Sequence, residues 1–341
     1  GTFNENNTWQ EATCALLYSC SLKGFLRPRM EYEERFIMKD ENMIKKIIMM
    51  MSAAVAMLCV QAATTYTETI DGIKWTYTIL PNNEVEIGNS EHDPQNGPYT
   101  SSISKHTSGT ITVPSRLRGL PVTSIGSGAF YDCKNLSFVN IPDGIVSMGG
   151  AVFEGCRSLK EIRLPKGLKN IGPNAFSYCD LLERIEIPEG VKNIGAGAFY
   201  NCKSLLNMKI PNSVTSIDYN AFYGCNFYEY NNQGVVLVDG WAIGYTSWVH
   251  KELELVDLRG IADSAFELCD TLRKVVTPKD IAIPGNAFHK CQNLNTVIIS
   301  EGTTVVGGNA FSSCHSLIHV SLPDSLQVIG SESFYGCISL T

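Results

Sequence analysis

Hydrophobic positions recur with a fixed period over most of the chain. Phenylalanine occupies nine positions that are 23 residues apart, except for one gap of 44 and one of 22. These are Phe130, Phe153, Phe176, Phe199, Phe222, Phe266, Phe288, Phe311 and Phe334. A cysteine follows each phenylalanine after three residues, and leucine follows eight of the nine cysteines after three more. The pattern indicates stacked copies of one structural unit.

Each unit predicts a short strand and a compact return segment. Ile185 and Ile187 alternate with polar residues and precede Pro188, which is typical of a strand with one inward face that ends at the proline. An Ile-Gly pair then turns the chain. The spacing of Phe199 and Cys202 fits one turn of 3₁₀ or α-helix. Because one unit cannot bury its apolar residues alone, we expect equivalent strands to stack in parallel, about 4.8 Å apart.

The repeat resembles a known family. Cys179 to Phe199 reads C-x-x-L-x-x-I-x-I-P-x-x-V-x-x-I-G-x-x-A-F, which resembles the BspA-like leucine-rich repeats of bacterial cell-surface proteins. The resemblance runs from Leu120 to Thr341. It implies an α/β solenoid, a right-handed superhelix of 23-residue repeats that each hold a short parallel strand and a short helical turn. Family members are exported, and several are adhesins, which implies host or neighbouring-cell surface proteins or glycans as partners.

The first 62 residues have the pattern of a leader. Met43 to Lys46 is a short basic start, and an apolar run of 14 residues from Ile47 to Val60 follows. Small residues at Val60 and Ala62 suit a signal peptidase, so we expect 43–62 to be a secretory signal peptide and 1–42 to be upstream, non-native sequence. The alternative is that 1–42 is native and the apolar run is a signal anchor. Contact with a membrane is expected only through this signal or a missing anchor.

The remaining boundaries follow from changes in the pattern. Residues 63–120 predict a small β cap over the exposed end of the solenoid, with two strands at 75–80 and 84–87. Residues 121–341 form the repeat domain, which holds an irregular insertion at 226–250. The final repeat stops before its strand, so we expect the sequence to be a fragment.

Charge and motifs argue against several function classes. The chain has 27 Lys and Arg against 34 Asp and Glu, a net charge of −7 that gives no basic surface for nucleic acid. No catalytic, phosphate-binding or dinucleotide motif is present, so no catalytic residue or cofactor is predicted and the protein is expected not to be an enzyme.

The periodic cysteines predict core packing rather than chemistry. Nine of the twelve cysteines recur at the repeat period, so each fills the same core position as a small hydrophobic residue. Disulfides between neighbouring repeats are the alternative, although parallel side chains satisfy the required dihedral angle poorly. No metal site is predicted, because His289 and His315 share no position in the repeat.

Two surfaces are candidates for binding. The first is the outward side of the strands, where stacking places Glu161 beside Arg184 and Arg163 beside Glu186, with Lys209 following. These residues either bind a partner or form a solvated ladder of opposite charges.

The second candidate is the insertion, where Asp239-Gly240 between apolar runs predicts a β-hairpin. Its aromatic residues either form an exposed patch for a protein or glycan or pack the hairpin onto the solenoid. They are Tyr228, Tyr230, Trp241, Tyr245 and Trp248.

Two function classes therefore remain open. The first is an exported cell-surface binding or adhesion protein without catalytic activity. The second is a structural spacer within a larger surface protein or enzyme. Further sequence would separate them.

Overall fold

The structure is a computed structural model that describes residues 64–88, 99–206, 208–227 and 230–341. The predicted upstream segment 1–42, signal peptide 43–62 and residue 63 of the predicted cap lie outside the described residues, as does Tyr228.

The described residues are organised as short strands joined by turns. The strands are β1 (Thr65–Ile70), β2 (Ile73–Ile79), β3 (Val85–Ile87), β4 (Gly109–Thr112), β5 (Arg116–Leu117), β6 (Leu120–Ile125), β7 (Leu136–Asn140), β8 (Ser147–Met148), β9 (Glu161–Arg163), β10 (Asn170–Ile171), β11 (Arg184–Glu186), β12 (Asn193–Ile194), β13 (Ser216–Ile217), β14 (Val235–Val238), β15 (Trp241–Tyr245), β16 (Glu252–Glu254), β17 (Gly260–Ile261), β18 (Lys274–Val276), β19 (Thr296–Ile298), β20 (Val305–Val306), β21 (His319–Ser321) and β22 (Val328–Ile329).

The repeats coil into a β-solenoid of about nine turns with a spacing near 23 residues. Most coils contribute a strand to a parallel ladder, in the order β11-β9-β7-β4 before the insertion and β16-β18-β19-β21 after it. A second parallel ladder, β10-β12-β13, joins the Ile residues that precede the turn segment. The strand and its parallel stacking are thus confirmed, although β11 ends at Glu186, two residues before Pro188.

The N-terminal segment joins the solenoid through a sheet. Strands β1, β2 and β3 pair antiparallel in order, and β3 then pairs parallel with β6. The two strands predicted at 75–80 and 84–87 correspond to β2 and β3. Trp75 on β2 packs its ring edge-on against Phe130 at 6.1 Å, so this segment covers the first rung of the phenylalanine core.

The core is a stack of phenylalanine rings along the solenoid. Neighbouring rings lie 4.9–5.5 Å apart and within 11° of parallel, from Phe130 to Phe222 and again from Phe266 to Phe334. Most of these rings are fully buried. Truncating an interior rung such as Phe176 to alanine is expected to cost about 3–5 kcal/mol.

The predicted helical turn is absent from the described residues, where the return segment consists of linked turns. Around Phe176, every second N–H bonds three residues back, while the N–H groups between them donate to the next coil. The bonds to the next coil are Asn174 N to Ala196 O, Phe176 N to Ala198 O and Tyr178 N to Tyr200 O, each 2.8 Å. Asn174 and Tyr178 have positive φ, 54° and 58°. This backbone alternation interrupts a helix, because a helix would direct every N–H along its own segment.

The Ile-Gly pair marks the closest approach of successive backbones. A Cβ at Gly172 would lie 2.3 Å from the carbonyl oxygen of Gly149 in the preceding coil. Only glycine fits there without moving the backbone. Asp218 occupies the equivalent position in the coil just before the insertion, where its N–H still donates to Ile194 O at 2.9 Å, as the Gly195 N–H does to Ile171 O.

The cysteines of the described repeats are free, as expected, and nearly all are buried. Their thiols also form hydrogen bonds that the sequence pattern did not predict. Seven of them donate to the backbone carbonyl of a phenylalanine in the preceding coil at 3.1–3.2 Å, as Cys179 does to Phe153. The cysteine ladder therefore links coils by weak hydrogen bonds as well as by packing.

Candidate binding surfaces on the strands and at the hairpin

The strand face carries exposed charges in the predicted register. Glu161 and Arg163 flank buried Ile162 on β9, and Arg184 and Glu186 project in the same way from β11. The Cα register pairs Glu161 with Arg184 and Arg163 with Glu186. The juxtaposition of opposite charges on adjacent strands is thus confirmed.

These opposite charges do not close into ion pairs. Within the described residues, no N···O distance of 4.0 Å or less joins Glu161 to Arg184 or Arg163 to Glu186; Arg163 lies 4.0 Å from Asp143 instead. Exposed pairs at longer range contribute little to stability. The four side chains are therefore available to groups in solution.

Lys209 extends the strand face towards the hairpin. Its side chain is 94% exposed, and its Nζ lies 3.0 Å from Asp239 Oδ1 in the hairpin turn. Beyond the insertion the face becomes less charged only towards its C-terminal end. It continues through exposed Glu252 and Glu254 to half-buried Thr296 and Ile298.

The insertion contains the predicted hairpin. Strands β14 and β15 pair antiparallel around Asp239 and Gly240, whose φ angles are 45° and 80°. Two consecutive positive φ values are typical of a tight I′ turn, which explains the Asp-Gly sequence. Strand β15 then pairs parallel with β17, which attaches the hairpin to the following coil.

Two of the predicted aromatic anchors face inward. Trp241 is only 5% exposed and its ring covers Gly260, where a Cβ would lie 2.3 Å from a ring carbon. Tyr245 is half-buried, stacks on Phe266 at 6.4 Å and donates its hydroxyl to Glu267 O. For these two the exposed patch is wrong and the alternative, packing of the hairpin onto the solenoid, is confirmed, because their rings continue the core where the repeat is interrupted.

Tyr230 and Trp248 remain candidates for contact with a partner. They are 54% and 48% exposed, and their rings meet edge to face at 5.4 Å. The structure therefore brings together one exposed pair, beside a hairpin whose other aromatics are packed inward.

Asp239 joins the hairpin to coils on both sides. Its carboxylate accepts hydrogen bonds from the backbone N–H of Ile210 at 3.0 Å, from Lys209 and from Arg259. Burial alone would raise the pKa of this carboxyl, but the Ile210 N–H and the two cations outweigh burial and hold the pKa below its usual value.

The phenylalanine stack is broken between Phe222 and Phe266. Phe222 meets Phe227 edge-on, and Tyr245 takes the place of a rung on Phe266. A cavity of about 260 Å³, which we call the seam cavity, opens at this break. Its lining includes Asp218, Asn220, Phe222, Tyr223, Tyr245 and Asp263.

A row of three tyrosines on the turn side, two of them exposed and the middle one half-buried, was not predicted. Tyr178, Tyr200 and Tyr223 lie on three successive coils, with ring centroids 5.5 and 5.3 Å apart. Tyr200 and Tyr223 both follow a core phenylalanine directly, 23 residues apart, so the repeat period carried a signal for this row.

Neither a metal-ligand cluster nor a membrane-spanning helix occurs among the described residues. Over these ranges, no group of three or more His, Cys, Asp or Glu side chains is arranged to hold a metal ion. The same part of the chain has no helix of the length and apolar character that a membrane span requires.

Comparison with protein families decides the class of the repeat. The family described as the BspA type leucine rich repeat region matches residues 110–233 and 252–341, in six copies. The chain belongs to this family. The BspA-type match stops at 233 and resumes at 252, so the gap contains β14, β15 and the turn between them.

Several similar proteins of solved structure are described as leucine-rich proteins. One from T. pallidum has 22% identity and a TM-score of 0.38, covering 80% of this chain and 91% of that one. A leucine-rich cell surface protein from Faecalibacterium prausnitzii has 21% identity and a TM-score of 0.37, covering 82% and 94%. The pneumococcal vaccine antigen PcpA has 20% identity and a TM-score of 0.40, covering 81% and 80%. A comparison with curated proteins finds no match.

Proposed function

We propose that this BspA-type protein is an exported, non-catalytic cell-surface binding protein that recognises protein or glycan partners through its strand face. The observation that carries the proposal is the set of four charged side chains on β9 and β11, exposed and free of mutual ion pairs. Repeat proteins bind partners across extended surfaces that stacked units create. The signal-type sequence at 43–62 and the family resemblance support export.

The strand face suits a polar partner with both charge signs. Glutamate and arginine alternate along and across β9 and β11, so a partner with the complementary pattern would be favoured over one of uniform charge. A uniformly anionic polymer such as nucleic acid would meet Glu161 and Glu186 at every approach to the arginines.

A binding screen tests the proposal. The purified full chain is applied to arrays of extracellular-matrix proteins, mucins and glycans, with a denatured sample as the control. The expected result is reproducible, saturable binding to a small set of partners, weakened by salt because the face is charged. Absence of binding across the arrays would contradict the proposal and support the spacer function.

Export is tested separately on cells. The protein is expressed in a bacterial host with and without residues 43–62, and intact cells are treated with protease. The proposal predicts that the protein with the segment is exported and digested. Equal protection of both forms in intact cells would contradict export.

A further inference from the structure

The seam cavity has an open aromatic wall. Tyr223 is 61% exposed, and one face of its ring stacks on Tyr200 at 5.3 Å with an angle of 18°. Because Tyr200 lies on the preceding coil, the other face of Tyr223 is directed towards the following coil, where the seam cavity lies. A free tyrosine face is a site of negative potential that attracts cations.

Two carboxylates line the same cavity without a cationic partner. Asp218 accepts from Asn193 Nδ2, and Asp263 accepts from Ser264 Oγ and, at 3.3 Å, from Asn286 Nδ2. Within the described residues, no Lys, Arg or His lies within 4.0 Å of either carboxylate, although seven other ion pairs form there.

The surroundings of Asp263 favour the approach of a cation. Burial raises the pKa of its carboxyl, against the hydrogen bonds from Ser264 and Asn286, and the charges of Asp218 and Glu267 raise it further. A positive charge brought into the cavity would be attracted to both aspartates.

The chain already shows the arrangement that such a cation would adopt. Tyr131 follows Phe130 as Tyr223 follows Phe222, so the two tyrosines occupy the same position in the repeat. Lys105 Nζ lies 5.1 Å from the centroid of the Tyr131 ring and 3.9 Å from Asp132 Oδ2. At Tyr131, therefore, a lysine of the chain itself fills the space between a tyrosine face and a carboxylate.

We propose that the seam cavity receives a lysine or arginine side chain of a partner protein, which lies on the face of Tyr223 and pairs with Asp218 and Asp263. The volume of about 260 Å³ is below the roughly 300–1,000 Å³ of pockets for drug-sized ligands, which suits one side chain. This inference rests on the proposed binding function and names the chemistry of one contact, a basic residue on the partner.

A short peptide tests the proposal without the partner. Isothermal titration calorimetry of the full chain compares acetyl-Gly-Lys-Gly-amide with acetyl-Gly-Gln-Gly-amide, which has no charge. Three variants are measured: Asp218→Asn with Asp263→Asn, Tyr223→Leu, and Asp324→Asn as a control on an exposed aspartate elsewhere in the solenoid. Circular dichroism and thermal unfolding establish that each variant is folded.

The proposal predicts that the lysine peptide binds the wild type and the Asp324 variant alike. Binding should weaken about tenfold or more in the double-aspartate variant and in the Tyr223 variant, and the glutamine peptide should bind at least tenfold more weakly than the lysine peptide. Equal binding of the two peptides, or full affinity in a folded double-aspartate variant, would overturn it. Stronger binding of a neutral sugar such as N-acetylglucosamine at the cavity would also overturn it.

The outcome is separable from that of the proposed function. If the lysine peptide does not bind but the array screen is positive, the seam-cavity proposal is wrong and the strand-face proposal stands. If the lysine peptide binds but the array screen is negative, the seam-cavity proposal stands and the strand-face proposal is wrong.

Discussion

Arg259 forms an ion pair with Asp239 at the point where the coils before and after the insertion meet. The Arg259 guanidinium donates through Nη1 to the Asp239 carboxylate and carbonyl, and through Nη2 to Pro211 O and Asn212 Oδ1. Asp239 accepts in turn from the Ile210 backbone N–H. The repeat before the insertion, the hairpin turn and the loop after it therefore meet at one ion pair.

Two replacements of Asp239 distinguish how much the charge of this ion pair and the backbone conformation of the turn each contribute to stability. Asp239→Asn keeps a residue that tolerates the positive φ of 45°, whereas Asp239→Ala loses both the charge and that tolerance. We expect Asp239→Asn to lower the free energy of unfolding by about 1–2 kcal/mol, and Asp239→Ala to lower it further. Urea unfolding measures both.

The same residue predicts a pH dependence. Because its folded-state pKa is lowered, the Asp239 carboxylate contributes stability above its unfolded pKa of about 3.9, and that stability is lost as the pH falls through the lower folded value. Unfolding measured between pH 7 and pH 3 should show this loss in the wild type and not in Asp239→Asn. Identical acid dependence of the two proteins would contradict the assignment.

Two glycines provide a matched test of how closely the backbones of successive coils pack at the Ile-Gly turns. A Cβ at Gly172 would lie 2.3 Å from a backbone oxygen, whereas at Gly144 the nearest atom is 3.8 Å away, and neither glycine has a positive φ. Gly172→Ala should destabilise the protein by more than about 2 kcal/mol, since a backbone must move. Gly144→Ala should be neutral or stabilise by about 0.4–1 kcal/mol.

The measurement is the midpoint of urea unfolding for the two glycine variants. If Gly172→Ala unfolded at the same urea concentration as the wild type, the tight packing of successive Ile-Gly turns would be wrong.

The cysteine ladder should react slowly while the protein is folded. Burial, together with Cys314, raises the pKa of the Cys337 thiol to about 11, and burial raises that of Cys179 well above its usual range. Thiolate is the reactive form, so maleimide labelling of Cys337 at pH 8 should be far slower than that of a free thiol and should rise towards pH 11. Peptide-resolved mass spectrometry measures it, with labelling in urea as the control. Fast labelling of Cys337 in the folded protein at pH 8 would refute this.

The sequence carried most of the repeat architecture because its signals are local and periodic. Ile162 and Ile185 alternate with charged neighbours, so strand, inward face and cross-strand register all followed from the spacing. The Asp239-Gly240 turn could equally be predicted from the sequence, since few residue pairs support two successive positive φ values.

Features that depend on neighbouring coils were harder to predict. The spacing of Phe176 and Cys179 suits a helical turn, but the N–H groups that pair with the next coil override it. The sequence left open whether Trp241 is a surface anchor or packs the hairpin onto the solenoid, and only its tertiary position against Gly260 shows that its ring is buried. The seam cavity arises where the phenylalanine stack is broken, which no single segment encodes.

The most direct test of the central claim is the affinity of the full chain for the strongest partner from the array screen. Surface plasmon resonance compares the wild type with a variant in which Glu161, Arg163, Arg184 and Glu186 are all replaced by serine, which leaves the net charge unchanged. The control replaces exposed Lys251, Lys279, Glu301 and Asp324 in the same way. A dissociation constant raised about tenfold or more in the strand-face variant alone is the predicted result. Equal affinities for wild type, variant and control would contradict recognition through the strand face.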